Sequence, residues 1–82
     1  MGITKFKKLL FEQGVRIIDL QKITIEVDEL RYGVSTPHLY NISNGKINPN
    51  VITVVIICKA LSKMLNREIT PNDIIDYWWI LI

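Results

Sequence analysis

A short segment in the middle of the chain, residues 34–46, carries polar and mostly uncharged side chains at positions that would share one face of a helix. The outward positions of that helix are Thr36, Pro37, Tyr40 and Asn41. A helix that is merely solvated more often carries Glu and Lys there. Asparagine can pair with the adenine edge in the major groove of DNA, and the threonine methyl group can touch a thymine methyl. The segment therefore carries the chemistry needed to read base edges.

The end of this segment has groups that suit phosphate oxygens. Asn44, the backbone amide of Gly45 and the ammonium group of Lys46 stand there in succession. The lysines at positions 5, 7 and 8 could add phosphate contacts, although such a cluster is usually only a solvated face. Phosphate contacts supply affinity, and the neighbouring side chains that reach base edges supply specificity.

Several of these residues also have a purely structural interpretation. Tyr40 can pack against a neighbouring helix instead of contacting DNA. Pro37 suits the first turn of a helix, because first-turn amides have no helical partner. The Ser35 hydroxyl can cap the same helix, and Asn44–Gly45 can close it, since both residues tolerate a positive φ. The segment as a whole could thus be an ordinary helical hairpin.

Hydrophobic periodicity predicts an all-α fold with five helices around this segment. Gly14 ends the first helix, and Asn50 caps the fourth. Thr70 and Pro71 form a strong start signal for the fifth. The predicted helices comprise Thr4–Gln13, Val15–Tyr32, Ser35–Asn44, Asn50–Leu65 and a segment from Thr70 through Tyr77.

The second predicted helix is the most ambiguous element. Leu20, Ile23 and Val27 recur at helical spacing. Ile23, Ile25 and Val27 also alternate, as strand residues do. A lone strand would leave its backbone hydrogen bonds open, and the chain has no second strong strand candidate. A helix is therefore favoured.

Composition excludes several other classes of protein. The 82 residues suit one domain, and Cys58 as the only cysteine excludes an internal disulfide. One cysteine and one histidine cannot form a usual zinc site, and no cluster has catalytic spacing, so neither an enzyme nor a cofactor is expected. The N-terminus lacks a secretory pattern, and no apolar run reaches about 20 residues. We expect a cytoplasmic protein without a membrane anchor or small-molecule ligand.

The chain ends in an apolar run, residues 77–82, that is difficult to bury on a single face. Because 49% of this short chain is apolar, a homodimer is expected to cover the excess. One alternative is that a tryptophan packs back onto the domain's own core. A membrane-surface role is disfavoured, since the run is short and has no Lys or Arg. The predicted dimer contacts are Trp78, Trp79, Ile80, Leu81 and Ile82.

From Gly33 to Leu61 the sequence resembles the lambda-repressor/Cro-like helix-turn-helix family, also called the XRE family. The resemblance is carried by GVSTPHLYNISNGK at 33–46, by NPN at 48–50 and by KAL at 59–61. It implies a five-helix DNA-binding domain whose third helix enters the major groove. Carried over by position, the base-reading candidates are Thr36, Pro37, Tyr40 and Asn41, and the phosphate-holding candidates are Ser35, Asn44 and Lys46.

The resemblance is incomplete before Gly33. Residues 14–33 exceed the family's usual length by roughly two helical turns, which implies a lengthened second helix or an extra turn before it. Many members place a glutamine in the first turn of that helix, where counting back from Gly33 puts Ile25. Leu10 and Ser43 replace the family's arginine–glutamate pair, so no buried charge is left alone.

These features together predict a transcription regulator that binds DNA sequence-specifically, although the net charge of +2 is by itself weak evidence for nucleic acid. The resemblance further implies a dimeric repressor or autoregulator on a palindromic operator, of prokaryotic or phage origin. The alternative is a protein–protein interaction module, or an antitoxin-type partner, that uses the same fold without sequence-specific DNA binding.

Overall fold

The computed structural model describes residues 4–75 of the chain. Within them the protein consists of four α-helices, a short 3-10 helix and connecting loops, with no β-strand, so the predicted all-α class is confirmed. None of the described helices is both long and apolar enough to cross a membrane. In chain order the helices are α1 (Lys5–Gln13), α2 (Ile17–Val27), α3 (Thr36–Ser43) and α4 (Val51–Leu65), followed by the 3-10 helix Pro71–Asp73.

The helix caps predicted from the sequence are confirmed. Ser35 caps α3, because its hydroxyl accepts the His38 N–H at 3.3 Å. The side-chain oxygen of Asn50 accepts the Thr53 N–H at 2.8 Å at the start of α4. Gly14 ends α1 with a φ of 65°, a left-handed conformation that glycine adopts without strain. Each of these features depends on residues within about one turn of each other, so the local sequence suffices to predict it.

Helix α2 ends at Val27 rather than at Tyr32, so the predicted lengthened second helix is wrong. The carboxylate of Asp28 accepts three backbone N–H groups of the residues that follow it. These donors and their distances are Leu30 at 3.1 Å, Tyr32 at 3.2 Å and Gly33 at 2.9 Å. Side-chain acceptors of this kind compete with helical hydrogen bonding. The extra length before α3 therefore lies in a loop, residues 28–35.

The core lies mainly between α2 and α4, which pack against each other most extensively. Helix α3 packs against α1 and α2, and the 3-10 helix packs against α1 and α4. Two sides of α3 are therefore held by other helices, while its remaining surface stays open to solvent. The largest fully buried apolar side chains come from all four helices and the end of the described chain: Phe6, Leu20, Leu39, Val54, Ile57, Leu61 and Ile74.

The predicted fifth helix is represented in the described residues only by its start. The N–H and hydroxyl of Thr70 both donate to the Asp73 carboxylate, at 2.9 and 3.2 Å, and Pro71 opens the 3-10 helix. Ile74 and Ile75 then return to the core. The predicted continuation of this helix and the predicted dimer contacts lie outside the described residues: Tyr77, Trp78, Trp79, Ile80, Leu81 and Ile82.

Candidate nucleic-acid interface

Helix α3 turns two aliphatic side chains inward and leaves a polar face in solvent. Leu39 and Ile42 are 0% and 4% exposed, as their spacing predicts, and they anchor the helix to the core. The Tyr40 residue is 50% exposed, so about half of its surface remains open to a partner. The predicted base readers all keep part of their surface in solvent: Thr36, Pro37, Tyr40 and Asn41.

The turn after α3 places the predicted phosphate contacts at the end of the same helix. Asn44 and Lys46 are both exposed there, and Gly45 reverses the chain with a φ of 75°. The Gly45 N–H, which the sequence suggested for phosphate, donates instead to the Ile42 carbonyl at 3.1 Å. Phosphate contact at this turn is therefore left to the two side chains. At the other end of α3, the exposed Ser35 hydroxyl accepts the His38 N–H and keeps its own proton for donation.

The structure brings Lys7 of α1 to this surface. Its Nζ donates to the Asn44 side-chain oxygen at 3.1 Å. The Thr4 hydroxyl donates to the Ser43 carbonyl at 2.6 Å, which also joins the start of α1 to the end of α3. From the sequence, Lys7 could not be distinguished from the solvated lysines beside it. Its partner lies 37 residues away, so only the packing of α1 against α3 reveals the contact.

A shallow groove joins the end of α3 to the start of α2. Its lining includes Lys7 and Phe11 of α1, Val15 before α2, and Tyr40 and Asn44 at α3. Phe11 is 88% exposed and Tyr40 is 50% exposed, so the groove presents two aromatic rings to solvent. The candidate interface is thus a surface built from three helices rather than from α3 alone.

The start of α2 carries a cation but no glutamine. Arg16 precedes the helix and donates to Asp19 at 2.8 Å, and this hydrogen bond lowers the pKa of the Asp19 carboxyl. The first helical residue is Ile17, which is buried. Ile25, expected in the first turn by counting back from Gly33, lies near the other end of α2. That expectation is wrong because α2 begins at Ile17 and ends at Val27, and a loop separates it from Gly33.

Two buried positions between α1 and α3 carry no charge. Leu10 and Ser43, the positions that the resemblance assigns to an arginine–glutamate pair, are 5% and 4% exposed. The Ser43 hydroxyl donates to the Tyr40 carbonyl at 3.0 Å, so the buried serine has a partner within its own helix. Both positions are uncharged, so neither places a buried charge at this junction.

The chain carries no carboxylate between Glu29 and Glu68, a stretch that includes α3, the turn after it and α4. These elements therefore contribute no acidic side chain to the surface around α3. A polyanion that approaches α3 meets no negative charge on this stretch. Its basic residues are Arg31, Lys46, Lys59, Lys63 and Arg67.

Cys58 is a buried core residue. Burial, with a smaller effect of the Asp73 charge, raises the pKa of its thiol to about 11. The thiol therefore stays protonated near neutral pH and is a poor nucleophile. Within residues 4–75, no group of three or more His, Cys, Asp and Glu side chains is arranged to hold a metal ion.

Comparisons of the chain with protein-family models, with curated proteins and with solved structures found no match. The interface is therefore interpreted from its own residues.

Proposed function

We propose that this protein is a sequence-specific DNA-binding transcription regulator with a lambda-repressor/Cro-like domain, and that α3 is its recognition helix. The observation that carries the proposal is the division of α3 into two faces. Leu39 and Ile42 anchor the helix in the core, while polar, uncharged side chains remain in solvent on a short helix that a major groove can admit.

The proposed interface makes two kinds of contact, one with base edges and one with phosphates. Asn41 and Thr36 would read base edges, since asparagine pairs with adenine and the threonine methyl contacts thymine. Lys46 and Lys7 would hold phosphates near Asn44, and the Ser35 hydroxyl would hold one at the other end of α3. Phosphate contacts fix the position of α3 on the duplex, and the base contacts then select the sequence.

A homodimer on a palindromic operator is the form of the regulator that we infer. The described residues span 32 × 29 × 25 Å, a size comparable with the roughly 34 Å between successive major grooves on one side of B-DNA. A two-fold dimer of this size could therefore present one α3 helix to each of two successive grooves. Such a dimer would act in the cytoplasm as a repressor or autoregulator.

The proposal is tested by incubating the purified protein with fragmented genomic DNA over a series of salt concentrations and sequencing the bound fraction. We expect one palindrome to be enriched and its affinity to fall steeply as salt rises. Asn41→Ala should lose about 1–3 kcal/mol of discrimination between operator and random DNA, whereas Asn72→Ala, an exposed asparagine outside the interface, should lose none. An equal loss on both DNAs for Asn41→Ala would contradict base reading.

The second candidate function is a protein-interaction module on the same fold. It is favoured by exposed apolar side chains outside the candidate interface, since Leu30, Tyr32 and Ile52 are 72%, 80% and 71% exposed. Absence of DNA binding even at low salt would favour this module, because phosphate contacts are strongest there.

A further inference from the structure

A second apolar surface lies between the loop after α2 and the first half of α4. It is an open groove of about 340 Å³, which we call the α2–α4 groove. None of the seven side chains proposed to contact DNA from residues 35–46 lines it. Its apolar lining consists of Val27, Leu30, Val51, Ile52, Val55 and Ile56.

The apolar exposure at the α2–α4 groove is contiguous. Leu30 on the loop and Ile52 on α4 are 72% and 71% exposed, and they line the same depression together with Val55, which is 37% exposed. Single exposed aliphatic residues are ordinary on protein surfaces. Several that line one groove, bordered by charged residues, are typical of an interaction site.

The border of the groove carries both signs of charge. Asp28 and Glu29 on the loop form an acidic edge, and Lys59 on α4 forms a basic edge. The Asp28 carboxylate is occupied by the backbone of its own loop. Within residues 4–75, neither Glu29 nor Lys59 forms an ion pair, so both side chains can pair with a partner. The Lys59 charge also acts on the nearby Asp28 carboxyl and contributes to lowering its pKa.

We propose that the α2–α4 groove is the contact between two copies of this chain. A two-fold axis sets the same patch against itself, so that residue i meets residue j and j meets i. The apolar centres then cover each other, and Glu29 of each copy faces Lys59 of the other. A partner with one predominant sign of charge would meet a like charge at one of the two edges, which favours a second copy as the occupant.

This proposed contact rests on the dimeric form of the proposed regulator. It is tested without DNA, so that the dimer contact and the DNA-binding function can be contradicted independently of each other. The groove contains no residue of α3, because its lining comes from the end of α2, the loop after it and α4. A wild-type chain that self-associates through this groove but never binds DNA would support the contact and contradict the proposed function. A dimer that binds DNA but is unaffected by substitutions in the groove would support the proposed function and contradict this contact.

The first experiment measures self-association of the full chain by sedimentation equilibrium over a range of concentrations. Leu30→Ser and Ile52→Ser should each raise the dissociation constant of the dimer by about tenfold or more. Both side chains are exposed, so the circular dichroism of the variants should match the wild type. Ile18→Ser, a control at an aliphatic residue that is 53% exposed and lies outside this groove, should leave the constant unchanged.

The second experiment exchanges the charges. Glu29→Lys and Lys59→Glu should each weaken self-association, because each places like charges at both edges of the dimer. Mixing the two variants should restore association as a heterodimer, since every edge pair is then opposite in sign. A chain that stays monomeric at all concentrations would overturn the proposal. So would a dimer that resists the serine variants but is lost when residues 77–82 are deleted.

Discussion

The hydroxyl of Thr24 accepts a hydrogen bond from the backbone N–H of Val34 at 3.0 Å, and both residues are buried. The same hydroxyl donates to the Gln21 carbonyl at 2.6 Å. One side chain of α2 therefore holds the backbone just before α3 and satisfies a polar group that has no access to water. This bond helps to set the position of the candidate recognition helix relative to α2.

Replacing Thr24 with valine should destabilise the fold, because it keeps the shape of the side chain but leaves the Val34 N–H buried without an acceptor. We expect the free energy of unfolding in urea to fall by about 1–3 kcal/mol. Thr53→Val is the matched control, since within the described residues the Thr53 side chain makes no hydrogen bond. Its effect should stay within about 0.5 kcal/mol. Equal effects of the two substitutions would contradict the role of the buried hydrogen bond.

Two glycines with nearly the same backbone conformation should tolerate alanine differently. Gly33 has a φ of 67°, and a Cβ there would lie 2.6 Å from Ile25 Cγ1 and 2.9 Å from the Ile25 backbone N. Gly14 has a φ of 65°, but a Cβ there would meet nothing within 4 Å. Gly14→Ala should therefore lower the free energy of unfolding by only about 1–2 kcal/mol, the strain of an alanine in the left-handed conformation.

Gly33→Ala should lower the free energy of unfolding by about 1–3 kcal/mol more than Gly14→Ala does, because Ile25 must shift to make room for the new methyl group. Urea unfolding of both variants measures the difference directly. Similar losses for the two substitutions would show that the loop before α3 can move away from α2 at little cost.

Asp28→Asn should destabilise the protein near neutral pH and have little effect in acid. The backbone N–H groups of Gly33, Leu30 and Tyr32 hold the pKa of the Asp28 carboxyl below its ordinary value. A carboxyl whose pKa is lowered on folding adds stability above its unfolded pKa, about 3.9, and this stability is lost as the pH falls through the folded value.

Thermal unfolding of the wild type and of Asp28→Asn between neutral and acidic pH checks this dependence. The gap between the two melting temperatures should close as the wild-type carboxylate becomes protonated. Glu12→Gln is the control, because within the described residues the Glu12 carboxylate accepts no hydrogen bond. A gap for Asp28→Asn that stays constant with pH would indicate that the carboxylate charge does not hold the loop.

Lys7→Gln should weaken DNA binding without changing sequence preference. If Lys7 holds one phosphate beside Asn44, its loss should reduce the slope of log affinity against log salt by about 0.9. The decrease in affinity should be similar on operator and random DNA, because phosphates carry no sequence information. Lys63→Gln is the matched control, since Lys63 is paired with Glu26 at 3.1 Å on the α2–α4 side. An unchanged slope for Lys7→Gln would remove this lysine from the interface.

Much of the fold could be predicted because its signals are local. The Ser35 and Asn50 caps and the glycine that ends α1 each involve residues within about one turn, and all three are confirmed. The end of α2 was predicted wrongly for a physical reason. Hydrophobic residues continue at helical spacing to Leu30. The Asp28 carboxylate, however, accepts hydrogen bonds from the N–H groups that follow it, and these bonds compete with the helix and form a loop. Hydrophobic periodicity contains no information about such side-chain hydrogen bonds.

The sequence by itself determined the all-α class, the buried face of α3 and the polar residues that this helix can offer to a partner, since these follow from helical spacing and caps. Only the tertiary structure decided which distant residues join that face. Lys7 meets Asn44, and Thr24 holds Val34, because α1 and α2 pack against α3 around a common core. Contacts of this kind depend on how whole helices are arranged in space, and no spacing along the chain encodes them.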